Sequence, residues 1–193
     1  MLTLIIAIAI AYCIGSISFS ILYAKMSGGS DPRTSGSKNA GTTNMLRTAG
    51  KSAALVVLIG DLAKGAIAVL IGKFMGLIGF NLGLVALAAV VGHIFPVFFG
   101  FKGGKGVATA IGALFGLSLI LFLVAVIIFI VVALLTRFAS LASLAAIAVA
   151  TVASLFIASA YFIPLLIILA VIVFKHLPNI QRLKSGTENK IRL

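Results

Sequence analysis

The chain has 193 residues, of which 62% are hydrophobic and 9% charged, with 15 Lys and Arg against 3 Asp and Glu for a formal net charge of +12. Soluble domains use about 45–50% apolar and about 25% charged residues, so this composition excludes a water-soluble globule. The single cysteine, Cys13, excludes a disulfide framework or a thiolate metal cluster; lying in an apolar run, it is expected to be a small core residue.

Apolar runs cover Leu2–Ala24, Ser52–Ile71, Leu77–Phe99, Val107–Thr136, Leu141–Ala158 and Tyr161–Phe174. Crossing a bilayer takes ~20 mostly apolar residues. The first run has no basic residue before Lys25, so it lacks the positive start of a secretory signal and reads as a retained span. The second contains GDLAKG, with Asp61 and Lys64 three apart. Ionisable residues inside a span are rare and usually paired or functional, so an intrahelical pair that holds helices together is expected ahead of a direct catalytic role. In the third run His93 sits one turn before Pro96. His93 is either a ligand or a hydrogen-bonded packing histidine.

Val107–Thr136 is long for one span and short for two. Charge placement decides between them. All the Lys and Arg except Lys64 and Lys73 lie in four polar stretches: Lys25 to Lys51, Lys102 to Lys105, Arg137, and Lys175 to Arg192. Basic residues in short loops mark the cytoplasmic side. All four stretches share a side only if Val107–Thr136 crosses twice, broken near Gly112, Gly116 and Ser118. The expected fold is therefore all-α and polytopic, one domain over residues 1–193, with seven transmembrane helices, the N-terminus outside and the C-terminus cytoplasmic. The first helix of that pair, at about eleven residues, covers about half the ~30 Å hydrocarbon core. It must be buried in protein or line a cavity.

The stretch DPRTSGSKNAGTTNMLRTAGK, residues 31–51, interleaves glycines with hydroxyls, amides and cations. Gly36 and Gly41 permit backbone that gathers amide N–H groups on an anion. Ser37, Thr42 and Thr43 offer hydroxyls, Asn39 and Asn44 offer amides, and Arg47 offers a guanidinium fork suited to phosphate. A loop that merely rests on anionic headgroups needs lysines and no such mixture. In GHIFPVFFGFKGGKGVAT, residues 92–109, Gly103, Gly104 and Gly106 surround Lys105 just before an apolar helix, an arrangement that can turn backbone donors, a helix N-terminus and an ammonium toward one phosphate. It is not a Walker A loop, because Phe99 and Gly106 stand where that motif needs Gly and Ser or Thr. In KHLPNIQRLKSGTEN, residues 175–189, His176, Asn179 and Arg182 recur every three residues, with Pro178 between. Glu188, the one acid there, reads as a structural partner of a nearby cation. Ser143 lies within two helical turns of Arg137, close enough to the cationic face to touch a ligand.

The three stretches GSKNAGTTNMLRTAGK, GHIFPVFFGFKGGKGVAT and HLPNIQRLKSGTEN resemble the three cytoplasmic motifs of the bacterial acyl-phosphate:glycerol-3-phosphate acyltransferases, the PlsY family. The likeness runs over essentially the whole chain and takes in GSISF after the first span, GDLAKG, and SLAS at residues 140–143. Lys38 in the first motif and Leu177-Pro178 in the third are mild departures.

The resemblance implies transfer of an acyl group from acyl phosphate to the 1-hydroxyl of glycerol 3-phosphate, giving lysophosphatidic acid and phosphate at the cytoplasmic side of the bacterial inner membrane. It implies catalytic roles for His176, Asn179, Ser37 and Arg47, and substrate binding by Ser37, Arg47, Lys105 and Ser143 with the loop of Gly103, Gly104 and Gly106. Arg47 and Lys105 would grip phosphates. An acyl phosphate is already an activated anhydride, and Asp31, Asp61 and Glu188 supply no Ser-His-Asp arrangement. His176 is the candidate base by its ordinary pKa of about 6.5, with the leaving phosphate as the rival acceptor of the proton. Scattered carboxylates suggest no metal site, and no cofactor is implied. Membrane lipid surrounds the chain, nucleic acid is not a partner, and a monomer is the expected unit, although GLIGFNLG (76–83) can pack helices within or between chains. The alternative is a phosphate or organic-anion transporter, but no second half of the chain echoes the first.

Overall fold

The computed structural model describes residues 1–191, and among these it contains helices and no strand. The α-helices are α1 (Leu2–Gly15), α2 (Phe19–Met26), α3 (Thr42–Thr48), α4 (Gly50–Phe74), α5 (Gly79–Ile94), α6 (Val107–Leu117), α7 (Leu119–Thr136), α8 (Ala139–Ile157) and α9 (Phe162–Lys184). Single 3₁₀ turns at Val97–Phe99 and Ser159–Tyr161 complete the order. Six stretches are long and apolar enough to cross a bilayer: Leu2–Met26, Gly50–Phe74, Gly79–Phe99, Leu119–Thr136, Ala139–Ile157 and Ser159–Lys184.

The short helix expected from charge placement is α6, 11 residues long and buried along most of its length. The break falls at Ser118, whose backbone is extended and whose Oγ accepts the Leu121 N–H at 3.5 Å to start α7. Gly112 and Gly116, expected to help break the chain, instead lie inside α6 and let it sit directly on α4. Gly112 lies against the Leu62 backbone and Gly116 against Val69. The two helices run parallel, and Gly65 of α4 lies beside Thr109. The first half of α4, roughly 18 Å at 1.5 Å per residue, therefore projects beyond the start of α6. At the other end, the Lys73 ammonium donates to the Gly116 carbonyl at 3.3 Å and satisfies one of the last acceptors of α6.

Helix α1 packs on α5 through Ala7, Ala11 and Gly15, small residues four apart that bring the backbones together. That face excludes Cys13, which is exposed on another side of α1 and is not a core residue. GSISF forms the joint between α1 and α2. In the GLIGFNLG stretch, Gly83 seats Pro164 of α9, a contact within the chain. Helix α9 continues past Phe174 to Lys184, because Pro178 removes one helical donor without ending the helix.

Five contacts gather the four cationic stretches at one end. Arg33 donates to the Phe99 carbonyl at 2.8 Å, Arg47 to the Asn189 carbonyl at 3.4 Å, and Lys105 to Asn179 Oδ1. Ser140 donates to Glu188 at 2.8 Å, and the Ile191 N–H to the Arg137 carbonyl at 2.7 Å. Residues 185–191 thus fold back over the loops as a strap.

Candidate active site

Where α6 starts late, the loops enclose a cavity of about 420 Å³. Its polar side carries Ser37, Asn39, Thr42, Arg47, Lys105 and Ser143, with His176, Asn179 and Glu188 from α9 and the strap. Its apolar side is made by Leu58 and Leu62 of α4, Ile111 of α6, and Val126, Phe129 and Ile130 of α7. Leu58 and Ile130 are 37% and 49% exposed, so this wall opens sideways between helices.

Local chemistry fixes each polar group. Asn44 is buried; its Oδ1 accepts the Ser37 N–H at 2.8 Å, and its Nδ2 donates to the Pro32 and Ser35 carbonyls at 2.8 and 3.1 Å. All its donors and acceptors serve the loop, so Asn44 shapes the turn and does not face a phosphate. The same turn presents Ser37, and helix α3 carries Arg47 to the rim, where it is exposed. Asp31 and Arg33 form a bidentate pair that anchors the start of the loop, and the guanidinium holds the Asp31 carboxyl below its ordinary range.

The glycine loop works differently from the expectation. The N–H groups of Gly103 and Gly104 donate to the Ile94 and His93 carbonyls, both at 3.2 Å, so neither is free for an anion. These glycines are required by space: a side chain on Gly104 would overlap the His93 ring and the Ala40 carbonyl, and one on Gly103 the His93 carbonyl and Pro96. The free donors lie one step later. Gly106 adopts φ +86° and opens α6, whose first hydrogen bond runs from the Ala110 N–H to the Gly106 carbonyl at 2.8 Å. The N–H groups of Val107, Ala108 and Thr109 therefore have no acceptor within the helix, and Val107 and Ala108 line the cavity.

Lys105 emerges between loop and helix, and its ammonium donates to Asn179 Oδ1. The Asn179 Nδ2 donates to Glu188 Oε1 at 2.6 Å, which also accepts from Ser140, while Glu188 Oε2 accepts from Arg182 Nε at 2.7 Å. Burial, then the cations Arg182, Arg47 and Lys175, pull the Lys105 pKa down to about 8 against the opposing pull of Glu188. Burial alone would raise the Glu188 carboxyl, but donation from Asn179, Ser140 and Arg182 outweighs it and holds the group ionised below its ordinary range. His176 Nδ1 lies 2.8 Å from the Ile172 carbonyl, which can only accept. The ring proton therefore sits on Nδ1, leaving the Nε2 lone pair available.

Glu188 is thus the cation partner expected of it, and Asp61 and Lys64 are paired within α4 at 2.8 Å. Sequence reasoning passed over Ser140 as a site residue and missed the apolar wall. Leu58 lies three residues before Asp61 and four before Leu62 on one stretch of helix, a usable signal, whereas α7 is apolar all round and nothing marks Phe129.

A family model described as glycerol-3-phosphate acyltransferase matches residues 5–186. The chain belongs to this acyltransferase family. A glycerol-3-phosphate acyltransferase of Coxiella burnetii is 47% identical over 190 residues, covering 98% of each chain. One from Neisseria meningitidis is 46% identical over 191 residues, covering 96% of each. Among solved structures, PlsY, an integral membrane glycerol 3-phosphate acyltransferase, in its glycerol 3-phosphate form superposes with a TM-score of 0.93 at 38% identity, covering 98% of this chain and 96% of that one. Its lysophosphatidic acid form gives 0.90 at 37% identity, covering 98% and 95%. A PlsY-type acyltransferase fold therefore extends over 98% of the chain.

Proposed function

We propose that this acyltransferase moves a fatty acyl group from acyl phosphate to the 1-hydroxyl of glycerol 3-phosphate, releasing lysophosphatidic acid and inorganic phosphate. The observation that carries the reading is the two-sided cavity, cationic and donor-rich on one wall and apolar with a lateral opening on the other. Two phosphorylated reactants need two anion-binding positions, and one of them needs somewhere for an alkyl chain. Family membership supports glycerol 3-phosphate as the acceptor.

In this reading the acyl chain lies along Leu62, Ile111 and Phe129 while its phosphate meets Ser37, Asn39, Arg47 and the α6 N-terminus. Glycerol 3-phosphate is held by Lys105, Ser143 and Asn179. The glycerol O1 attacks the acyl carbonyl carbon, the bond from that carbon to the bridging oxygen breaks, and phosphate leaves with the electron pair. The hydroxyl proton passes to His176 Nε2 or to the leaving phosphate. No acyl-enzyme intermediate is needed, because the anhydride is already activated, and positioning with charge neutralisation supplies most of the rate. Seven crossings with the N-terminus outside and the C-terminus in the cytoplasm, in the bacterial inner membrane, put the cavity beside the soluble acceptor.

The test is acyl transfer by the purified protein in detergent, following 1-acylglycerol 3-phosphate and phosphate together. Equal release of both from acyl phosphate is expected. Transfer from a different acyl donor, with none from acyl phosphate, would overturn the donor assignment, and phosphate flux in sealed vesicles without transfer would favour a carrier.

A further inference from the structure

GSISF at the α1–α2 joint and the ionisable pair of GDLAKG in α4 have no part in the chemistry above; they meet beside the glycine loop, where Asp61 and His93 border the cavity. The Lys64 ammonium donates to the Ile17 carbonyl at 2.7 Å and lies 2.8 Å from Asp61 Oδ1. His93 Nδ1 approaches the same oxygen, Asp61 Oδ1, at 3.5 Å. All three side chains are buried, with Lys64, Asp61 and His93 each less than a tenth exposed. Apart from the Lys64 ion pair on Asp61 Oδ1, neither that oxygen nor His93 Nδ1 has a hydrogen-bond partner among the described residues, so each is the other's nearest available complement. A ring nitrogen facing a carboxylate carries the proton, which fixes the tautomer and the ring plane.

That ring is the surface on which the loop rests. Gly104 packs against His93 Nε2, its N–H donates to the His93 carbonyl, and Lys105 follows directly. A chain of contacts therefore runs from Ile17 through Lys64, Asp61 and His93 to the residue that holds Asn179. A buried ion pair is weak evidence for stability, since apolar residues of similar shape often do as well. Three ionisable groups kept in a bilayer-spanning core need a further reason.

We infer that Asp61 and His93 are positioning residues: they seat Gly104 so that the Lys105 ammonium is held at the cavity and oriented toward a phosphate. The inference rests on the reading that the cavity binds glycerol 3-phosphate, but not on the identity of the acyl donor. It predicts that the contribution of Asp61 to ligand binding is exerted through Lys105.

The experiment is a double-mutant cycle on full-length protein in detergent, with the dissociation constant for glycerol 3-phosphate measured by calorimetry. Asp61→Asn is expected to weaken binding about tenfold, the size of one lost charge-assisted bond. In a Lys105→Ala background the same change should do almost nothing, because the ammonium it orients is gone. His93→Leu should reproduce Asp61→Asn, and His93→Asn, which keeps a donor near the Nδ1 position, should recover part of the loss. Equal effects of Asp61→Asn with and without Lys105 would overturn the inference and assign Asp61 to the scaffold or to direct ligand contact. No change on Asp61→Asn and His93→Leu would overturn it as well. Because an unpaired Lys64 can compromise folding, Asp61→Asn/Lys64→Met, with both charges removed, is carried through the same cycle and must show the same dependence on Lys105. Failure of acyl phosphate as donor would sink the proposed reaction and leave this cycle readable.

Discussion

The two walls of the cavity are made in different ways. The polar wall draws on segments far apart in the chain and is locked by directional bonds: Asn44 to Pro32, Lys105 to Asn179, Asn179 to Glu188. The apolar wall is one face each of α4, α6 and α7, held only by packing. Directional bonds are lost all at once when a partner is removed, whereas packing surfaces yield by degrees. Substitutions on the first wall should therefore lower activity by about tenfold or more, and substitutions on the second should retune it.

The sharpest break is Lys105→Ala. Steady-state kinetics against both substrates should show kcat/KM falling by about 10² to 10³-fold, the range for losing one preorganised charge at a reacting centre. Glu188→Gln leaves the cavity cations in place but removes the negative charge and one of the two acceptor oxygens that serve Asn179, Ser140 and Arg182, and a loss of about tenfold is expected with full-length protein still folded. The pH profile separates charge from geometry. With its pKa near 8, Lys105 is protonated below that pH and neutral above it. Rising pH therefore removes the ammonium, and kcat/KM should drop by up to about tenfold per unit above pH 8. Lys105→Arg, ionised throughout, should lack that limb whatever its absolute rate, and a limb that persists would assign the titration elsewhere.

On the apolar wall the effects are smaller. Phe129→Ala and Ile111→Phe should shift preference among acyl-chain lengths, with selectivity changing by at most about fourfold per methylene, the worth of one buried CH₂. Competition assays with mixed chain lengths would read this directly. Smallest of all, Lys73→Met removes the partner of the Gly116 carbonyl far from the cavity; a fall in Tm of about 2–4 °C with unchanged kcat/KM is expected.

The same contrast explains what the sequence made legible. Cations, amides and glycines in short polar runs announced the loop end, and placing those runs on one side called for a short helix, which is present as α6. Gly103 and Gly104 misled because a glycine needed for close packing looks the same as one needed for an exposed amide, and only the His93 and Ala40 contacts distinguish them. Asn44 misled for a similar reason, since a side-chain amide turned into its own loop has the same letter as one turned outward. Cys13 was misplaced because every residue of α1 is apolar or small, and the buried face is set by the partner helix α5. The wall at Val126, Phe129 and Ile130 was invisible in a helix that has no polar side to orient it.

The truncated start of α6 has a further consequence for how reactants arrive. It leaves a well sunk below the level at which α4 begins, with a polar side under the loops and an apolar side that opens between helices. Under the proposed reaction, a solute descends from one phase and an amphiphile slides in from the other, and they collide without either having to leave the medium in which it dissolves.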